Sequence, residues 1–421
     1  MKINSGAVSF YSMYRRRLLT EKLLQLHHSF PIVAVVGARQ VGKSTLLGEV
    51  FRGADSVLFD PLQDVENART DPDLFLRSHR TPLILDEVQY APEVVAALKR
   101  RIDQDRRPGQ YLLSGSQQWS VMRNMAESLA GRVAFLDLEG FCLDELRPEP
   151  PARSWLADFL DHPDQALSGR GPGTRQATPV AEQLWRGFLP EAQELPRAVV
   201  PGFFQAYQRT YIERDVRQLG EVSDWQLFGR FFRLAAALTA CELNHSQLGR
   251  ELGLNPQTAR RWLALLEATF QWFELPALAR NAVKRVSQRP KGHLADTGLA
   301  CAAQAISSPE ALSGHPLWGA LFESAVVAEV RKLSAALPTP PQLYHFRVHG
   351  GTEVDLVLER DGTYFPIEVK AHSRPTPGDA AGLHAFRRAF PDARVAPGLI
   401  ICPGEQVLRL AEDAWAVPWD W

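Results

Sequence analysis

Three groups of residues carry types and spacings that can do chemistry. The first is "VVGARQVGKST", where Gly37, Ala38, Arg39, Gln40, Val41, Gly42, Lys43, Ser44 and Thr45 fit the pattern GxxxxGK[ST] between an apolar run and a helix-like one. Its glycines let the backbone turn so that N–H groups converge on phosphate oxygens. Lys43 would supply a cation for the outer phosphates and Ser44 a hydroxyl for Mg2+. The helix N-terminus behind the loop favours negative charge. The second group, in "PLILDEVQ", ends a strand with Asp86 and Glu87. Asp86 is suited to hold the hydrated Mg2+, and Glu87 to orient or activate an attacking water. ATP and Mg2+ are therefore the expected cofactors, and the second acid favours hydrolysis over simple nucleotide holding.

The third group lies in "TEVDLVLERDGTYFPIEVK". Side chains alternate along a strand, so Glu353 shares a face with Asp355, and Glu368 shares one with Lys370. A "DG" turn folds the first strand onto the second. A hard divalent metal takes carboxylate oxygens, and a lysine can stabilise charge on a phosphate. A plain cross-strand ion pair is the alternative. His345 and Arg347, in the preceding "QLYHFRVH", are further candidates for phosphate contact.

Single residues extend the first group. In "QYLLSGSQ", Ser116 or Gln117 could sense the γ-phosphate or the lytic water, or cap the next helix. Arg132, in "ESLAGRVAFLDL", falls between a helix and a strand. In an oligomer it could reach a neighbour's γ-phosphate; otherwise it is a surface arginine. In "YIERDVRQL", Arg214 and Arg217 lie one helical turn apart. One of them could touch nucleotide from a lid, or Glu213, Arg214, Asp215 and Arg217 form a solvated ion network.

These residues need elements to position them. "IVAVVG", "SVLFD", "LILDE", "QYLLSGS" and "VAFLDL" are apolar runs of strand length with polar or helical sequence between them. That alternation predicts a parallel sheet covered by helices over residues 1–146. The Pro/Gly-rich stretch from Arg147 to Val180 reads as a loop or lid insertion. With the helices after it, it would form a linker and helical lid over residues 147–225. Residues 226–302 contain "LNHSQLGRELGLNPQTARRWLALLEATF", a helix, a tight turn at Gly253 and a second helix started by Pro256. The basic segment that follows reads as two strands around a loop, the wing of a winged helix. Gln257, Thr258, Arg260 and Arg261 on the second helix would face DNA, together with Arg280, Lys284, Arg285, Arg289 and Lys291 from the wing. A winged helix used for protein contact is the alternative. Residues 303–421 read as a mixed α/β unit.

Bulk properties narrow the partners. A chain of 421 residues is expected to form roughly two to three domains. Net charge is -1, so DNA binding must come from local patches. Cys142, Cys241, Cys301 and Cys402 lie far apart without zinc-site spacing, which suggests reduced thiols in the cytoplasm. Glu21 and Lys22 interrupt "YRRRLLTEKLLQL" as a signal-peptide core, and no apolar run is long enough to cross a bilayer.

The set "GARQVGKST", "LILDE", "LLSGSQ" and "SLAGR" resembles an AAA-type ATPase. With "LWRGFLPE", "YIERDVR", "DTGLA", "GALFES" and "EVDLVLE…PIEVK", the chain resembles a prokaryotic family that joins such an ATPase to a C-terminal domain of unassigned function. An acid, a turn and then Glu-x-Lys on a strand resembles the PD-(D/E)xK nuclease core. That resemblance implies a restriction-endonuclease-like α/β fold. It also implies Glu323, from "LFESAVVAEV", as a metal ligand beside Asp355 and Glu368, with Lys370 as the nuclease lysine. The resemblance implies an α/β protein: a P-loop parallel-sheet ATPase, a helical lid and winged helix, and a nuclease-like unit. The expected function is a homo-oligomeric, Mg2+-dependent ATPase that remodels, translocates or gates DNA. The rivals are a nucleotide switch or scaffold whose C-terminal domain binds a protein partner without cutting DNA, and a nuclease that ATP licenses.

Overall fold

The computed structural model describes residues 14–116, 129–169, 176–212, 216–217, 222–279, 288–347 and 352–421. Helix α1 (Thr20–His27) leads into β1 (Ile32–Val36). Then follow α2 (Lys43–Val50), β2 (Asp55–Leu58), α3 (Pro72–Ser78), β3 (Leu83–Asp86), α4 (Pro92–Gln104), β4 (Tyr111–Gly115) and β5 (Val133–Asp137). The strands run parallel in the order β2-β3-β4-β1-β5. Every residue of β1 and β4 is buried, because helices cover both faces; this is why they read as unbroken apolar runs. Strand order reverses beside β1, and in open parallel sheets ligands sit outside the carboxyl ends at such a point.

The stretch after Arg147 corrects the expectation of a loop insertion. Helix α5 (Trp155–Asp161) buries Trp155, Leu156, Phe159 and Leu160. The Phe159 ring lies 5.7 Å from Phe365 and 6.5 Å from Trp421. Arg147 donates to the Asp420 carbonyl at 2.5 Å. The apolar residues of α5 form one helical stripe, and the prolines and glycines mark only its flanks. Each fully buried large apolar side chain contributes about 2 kcal/mol, so this segment is core.

The middle of the chain continues with α6 (Val180–Arg186), α7 (Val200–Tyr207), α8 (Trp225–Ala237), β6 (Cys241–Glu242), α9 (His245–Leu252), α10 (Pro256–Ala268), β7 (Trp272–Leu275), β8 (Lys291–Leu294) and α11 (Thr297–Ala303). Two of the motifs quoted above, "LWRGFLPE" and "DTGLA", meet here. The Asp296 carboxylate accepts from Phe188 N at 2.7 Å and from Leu299 N at 3.0 Å. A Cβ on Gly187 would stand 2.2 Å from that carboxylate, so only glycine fits. Helix α9 ends at Gly253 in the left-handed region, φ 67°, and the Asn255 side chain caps α10 by accepting from Thr258 N at 2.7 Å. Phe228 and Phe231 of α8 pack edge-on against Trp262 of α10. The three short strands pair antiparallel in the order β6-β8-β7.

The C-terminal unit comprises α12 (Trp318–Ala336), β9 (Gln342–Arg347), β10 (Glu353–Arg360), β11 (Thr363–Val369), α13 (Ala381–Ala389), β12 (Arg394–Val395), β13 (Gly398–Cys402), β14 (Leu408–Ala411) and β15 (Ala414–Pro418). Its sheet has the order β14-β15-β13-β11-β10-β9, with β12 beside β11. Helix α12 packs with Leu356, Phe365 and Ile367 on one face, and α13 with Val354, Phe346 and Ile400 on the other. Among the described residues, no helix is long and apolar enough to cross a membrane. All four cysteines are free, and only Cys241 is exposed.

Candidate nucleotide site and a closed carboxylate cluster

The loop from Gly37 to Gly42 joins β1 to α2. Gly37 and Gly42 have φ of 157° and 92°, and Gln40 is left-handed at 61°. A Cβ on Gly37 would stand 1.9 Å from the Leu138 carbonyl oxygen, so the loop can pass the exit of β5 only as glycine. Lys43 is buried, and its ammonium donates to the carbonyls of Gly37 at 3.0 Å and Ala38 at 2.9 Å. Ser44 and Thr45 are exposed on the first turn of α2. Arg17 braces the loop from behind. It donates to the carbonyls of Val41 and Glu139, each at 2.7 Å, and lies 3.1 Å from the Glu145 carboxylate. These partners surround a guanidinium that is 5 % exposed and offset its charge. Nothing in "YRRRLL" sets Arg17 apart from its neighbours, so the sequence does not single it out.

The two acids stand at the same sheet edge. Asp86, the last residue of β3, accepts from the Ser114 hydroxyl and from Glu87 N at 3.1 Å. Glu87 has φ 56°, a strained value for a residue with a Cβ. Its carboxylate lies 3.8 Å from the Arg39 guanidinium, and accepts from the Gln89 amide and from the Ser116 hydroxyl at 3.4 Å. Arg39, Asp86, Glu87 and Ser116 are thus brought to the loop's edge of the sheet. Ser114 and Gln89 were not expected; a lone hydroxyl inside the apolar run "YLLSG" was the available signal.

Other expected residues are placed differently. Gln117 lies outside the described residues. Arg132 precedes β5 at the opposite, amino-terminal edge, where its carbonyl accepts from Ile32 N and its guanidinium pairs with Asp103 at 2.5 Å. Within one chain it is not brought to the loop. Arg217 lies over the Trp225 ring at 4.5 Å; Glu213, Arg214 and Asp215 lie outside the described residues.

A cavity of about 580 Å³ opens beside the loop, lined by Tyr14, Arg17, Gly42, Thr45, Phe141 and Pro196 among others. On another side, the Tyr207 hydroxyl at the end of α7 donates to the Arg39 carbonyl at 3.1 Å. The Gln271 amide, next to β7, reaches the same hydroxyl at 3.5 Å. The loop therefore touches α7 directly and the small middle sheet through one side chain.

Of the residues expected to face DNA, Gln257, Arg260, Arg261 and Arg289 are exposed and Thr258 is half-buried. Arg280, Lys284 and Arg285 lie outside the described residues. Lys291 corrects the expectation. It is 3 % exposed, and its ammonium lies 2.8 Å from Glu323, 3.1 Å from Asp355 and 3.9 Å from Glu353. All four residues of β8 are buried, so a lysine there must find carboxylates.

Those carboxylates are the ones that the hairpin was expected to gather. β10 and β11 pair with Leu356 opposite Ile367, a register that continues to set Asp355 opposite Glu368. Asp355 accepts from Val369 N at 2.9 Å, and Lys370 donates to Glu368 at 2.6 Å. Glu323 joins them from α12. The second Glu368 oxygen is buried without a hydrogen-bond partner. Among the described residues, no group of three His, Cys, Asp or Glu side chains is arranged to hold a metal ion. The expected metal set of Glu323, Asp355 and Glu368 is therefore not formed: Lys291 sits among them. Burial, then the Asp355 charge, pushes Glu323 and Glu368 each up to about 8. Burial alone would lower Lys291, but Glu323, Asp355 and Glu353 hold its ammonium above the usual lysine range. Of the two residues suggested for phosphate contact, His345 is buried and Arg347 is exposed. His345 is buried against the Arg289 carbonyl at 3.0 Å, burial lowering its pKa to about 4, and Arg347 pairs with Glu242 at 3.2 Å.

Three family models match the chain in succession. Residues 29–147 match the AAA domain, residues 178–310 a domain of unknown function (DUF8612), and residues 318–421 a domain of unknown function (DUF4143). The chain is 28% identical over 409 residues to the uncharacterized protein Rv2008c of Mycobacterium tuberculosis. The same figures hold for the uncharacterized protein Mb2031c of Mycobacterium bovis, covering 97% of this chain and 84% of the relative. A solved structure, the Walker-type ATPase PABY2304 of Pyrococcus abyssi, is 15% identical with a TM-score of 0.39, over 69% of this chain and 96% of that one. The match to the AAA domain falls on the N-terminal sheet and its glycine loop.

Proposed function

We propose that the protein is a Mg2+-dependent ATPase that acts on DNA as a cytoplasmic homo-oligomer. The convergence of Lys43, Asp86 and Glu87 on one sheet edge with the glycine loop carries this reading. Backbone N–H groups of residues 37–45 receive the phosphates, and Lys43 exchanges its loop carbonyls for phosphate oxygens. Ser44 and Asp86 suit Mg2+, because a hydroxyl on the first turn of α2 and a strand-end carboxylate oriented by Ser114 are oxygen donors. Bound Mg2+ would neutralise phosphate charge. Glu87 takes the proton of the attacking water while Arg39, Gln89 and Ser116 hold its carboxylate in place. The cavity beside Gly42 and Thr45 receives the rest of the nucleotide. Arg132 serves this chemistry only when it is presented to a neighbouring subunit.

The elements α8 to β8 are read as a winged helix, with Gln257, Arg260, Arg261 and Arg289 facing the DNA backbone. The C-terminal unit is read as a nuclease-like fold. The test is the ATPase rate without DNA and with single-stranded, duplex or branched DNA. At least one form should raise the rate several-fold, and Lys43→Ala should abolish it in every condition. Equal rates in all conditions would remove DNA from the reading.

The closed state of the carboxylate cluster favours one rival, a nucleotide switch whose C-terminal unit binds a protein partner without cutting DNA. Under that reading, DNA leaves the ATPase rate unchanged, and a partner is retained only with ATP.

A further inference from the structure

The cluster around Lys291 joins two parts of the chain. Lys291 comes from β8 of the middle sheet, Glu323 from α12, and Asp355 and Glu368 from the β10–β11 hairpin. Four carboxylates (Glu323, Glu353, Asp355 and Glu368) face two ammonium groups (Lys291 and Lys370). One Glu368 oxygen remains buried without a partner in the described structure. Asp355 is buried and Glu323 half-buried, and the cation that lies on them is a side chain rather than an ion.

We infer that Lys291 is a tethered plug: its ammonium holds the place of a divalent cation, and such an ion enters the cluster only when β8 withdraws. The inference rests on the geometry of the cluster and stands or falls independently of the ATPase reading. The small sheet has a handle for such a movement. β8 pairs with β7, Leu275 opposite Lys291, and Gln271 just before β7 touches the tyrosine that is bonded to the phosphate loop.

Two measurements test the plug. The first uses Mn2+ binding to nucleotide-free full-length chain, with Asp86→Asn throughout to silence the ATPase acid. The Asp86→Asn chain should bind no Mn2+ through Asp355. Adding Lys291→Met should create a site for about one Mn2+ per chain, and a further Asp355→Asn should remove it. The second needs no change at Lys291. Acetic anhydride labelling of Lys291, read by mass spectrometry, should be at least about ten-fold slower than at the exposed Lys99. It should rise toward the Lys99 rate in Glu323→Gln/Asp355→Asn. A cooperative urea unfolding transition of the Lys291→Met chain, followed by far-ultraviolet circular dichroism, checks that it is folded. An Mn2+ site that depends on Asp355 while Lys291 is present would overturn the inference. So would the absence of a site in folded Lys291→Met, or labelling of Lys291 as fast as Lys99 in the wild type.

Discussion

Lys43 and Lys291 are both buried ammonium groups near paired acids, 5 % and 3 % exposed. Their partners differ. Lys43 is bonded to the loop carbonyls of Gly37 and Ala38, while Asp86 and Glu87 engage Ser114, Gln89, Ser116 and Arg39. Lys291 lies directly on its acids, with Glu323 at 2.8 Å and Asp355 at 3.1 Å. The same residue types therefore stand in two different arrangements, a lysine wrapped by a glycine loop and a lysine set directly among acids. Among the described contacts the two lysines differ in what lies on them: loop carbonyls at Lys43, carboxylates at Lys291.

The sharpest break would come at the nucleotide site. Lys43→Ala or Glu87→Gln should lower the ATPase turnover number by about 10²–10⁴-fold; wild-type rates would mean that this sheet edge is not the reactive one. At the second site, Lys291→Ala should cost about 3–5 kcal/mol in urea unfolding, because it strands buried carboxylates. Lys291→Met combined with Asp355→Asn should recover part of that loss. Additive effects of the two changes would show that the pair is not coupled.

Removing charge from the outer face of α10 should act more gently. Arg260→Ala/Arg261→Ala should reduce the salt dependence of duplex DNA binding by about 1.8 in log–log slope. An unchanged slope would direct attention away from α10. The last effect concerns protons. Glu323 has a folded pKa of about 8 against an ordinary 4.5. It binds a proton more readily in the folded state, so its contribution is complete below about 4.5 and is lost as pH rises to about 8. Over that window the urea midpoint should fall more steeply in the wild type than in Glu323→Gln. Parallel curves would mean that Glu323 is ionised throughout.

The nucleotide loop was legible because its chemistry is contiguous. The glycines, lysine and hydroxyl follow one another, and backbone geometry alone demands that order. The hairpin acids were legible because strand alternation is local. Lys291 was not, since its partners lie 32 and 64 positions away and its neighbours in sequence are basic. Helix α5 was hidden for a related reason. Its local prolines signal a loop, while its anchors come from far along the chain: Arg360 reaches the Leu160 carbonyl across 200 positions. Arg132 stands just before β5, as its sequence context implied, and its expected role toward a neighbouring subunit is not addressed by contacts within one chain.

The carbonyl-bound state of Lys43 has a thermodynamic corollary. This ammonium leaves bulk solvent when the chain folds, not when its ligand arrives, so dehydration of the lysine is absent from the binding step. An anion reaching it would meet an ammonium already stripped of bulk water, in a low local dielectric that strengthens attraction between charges.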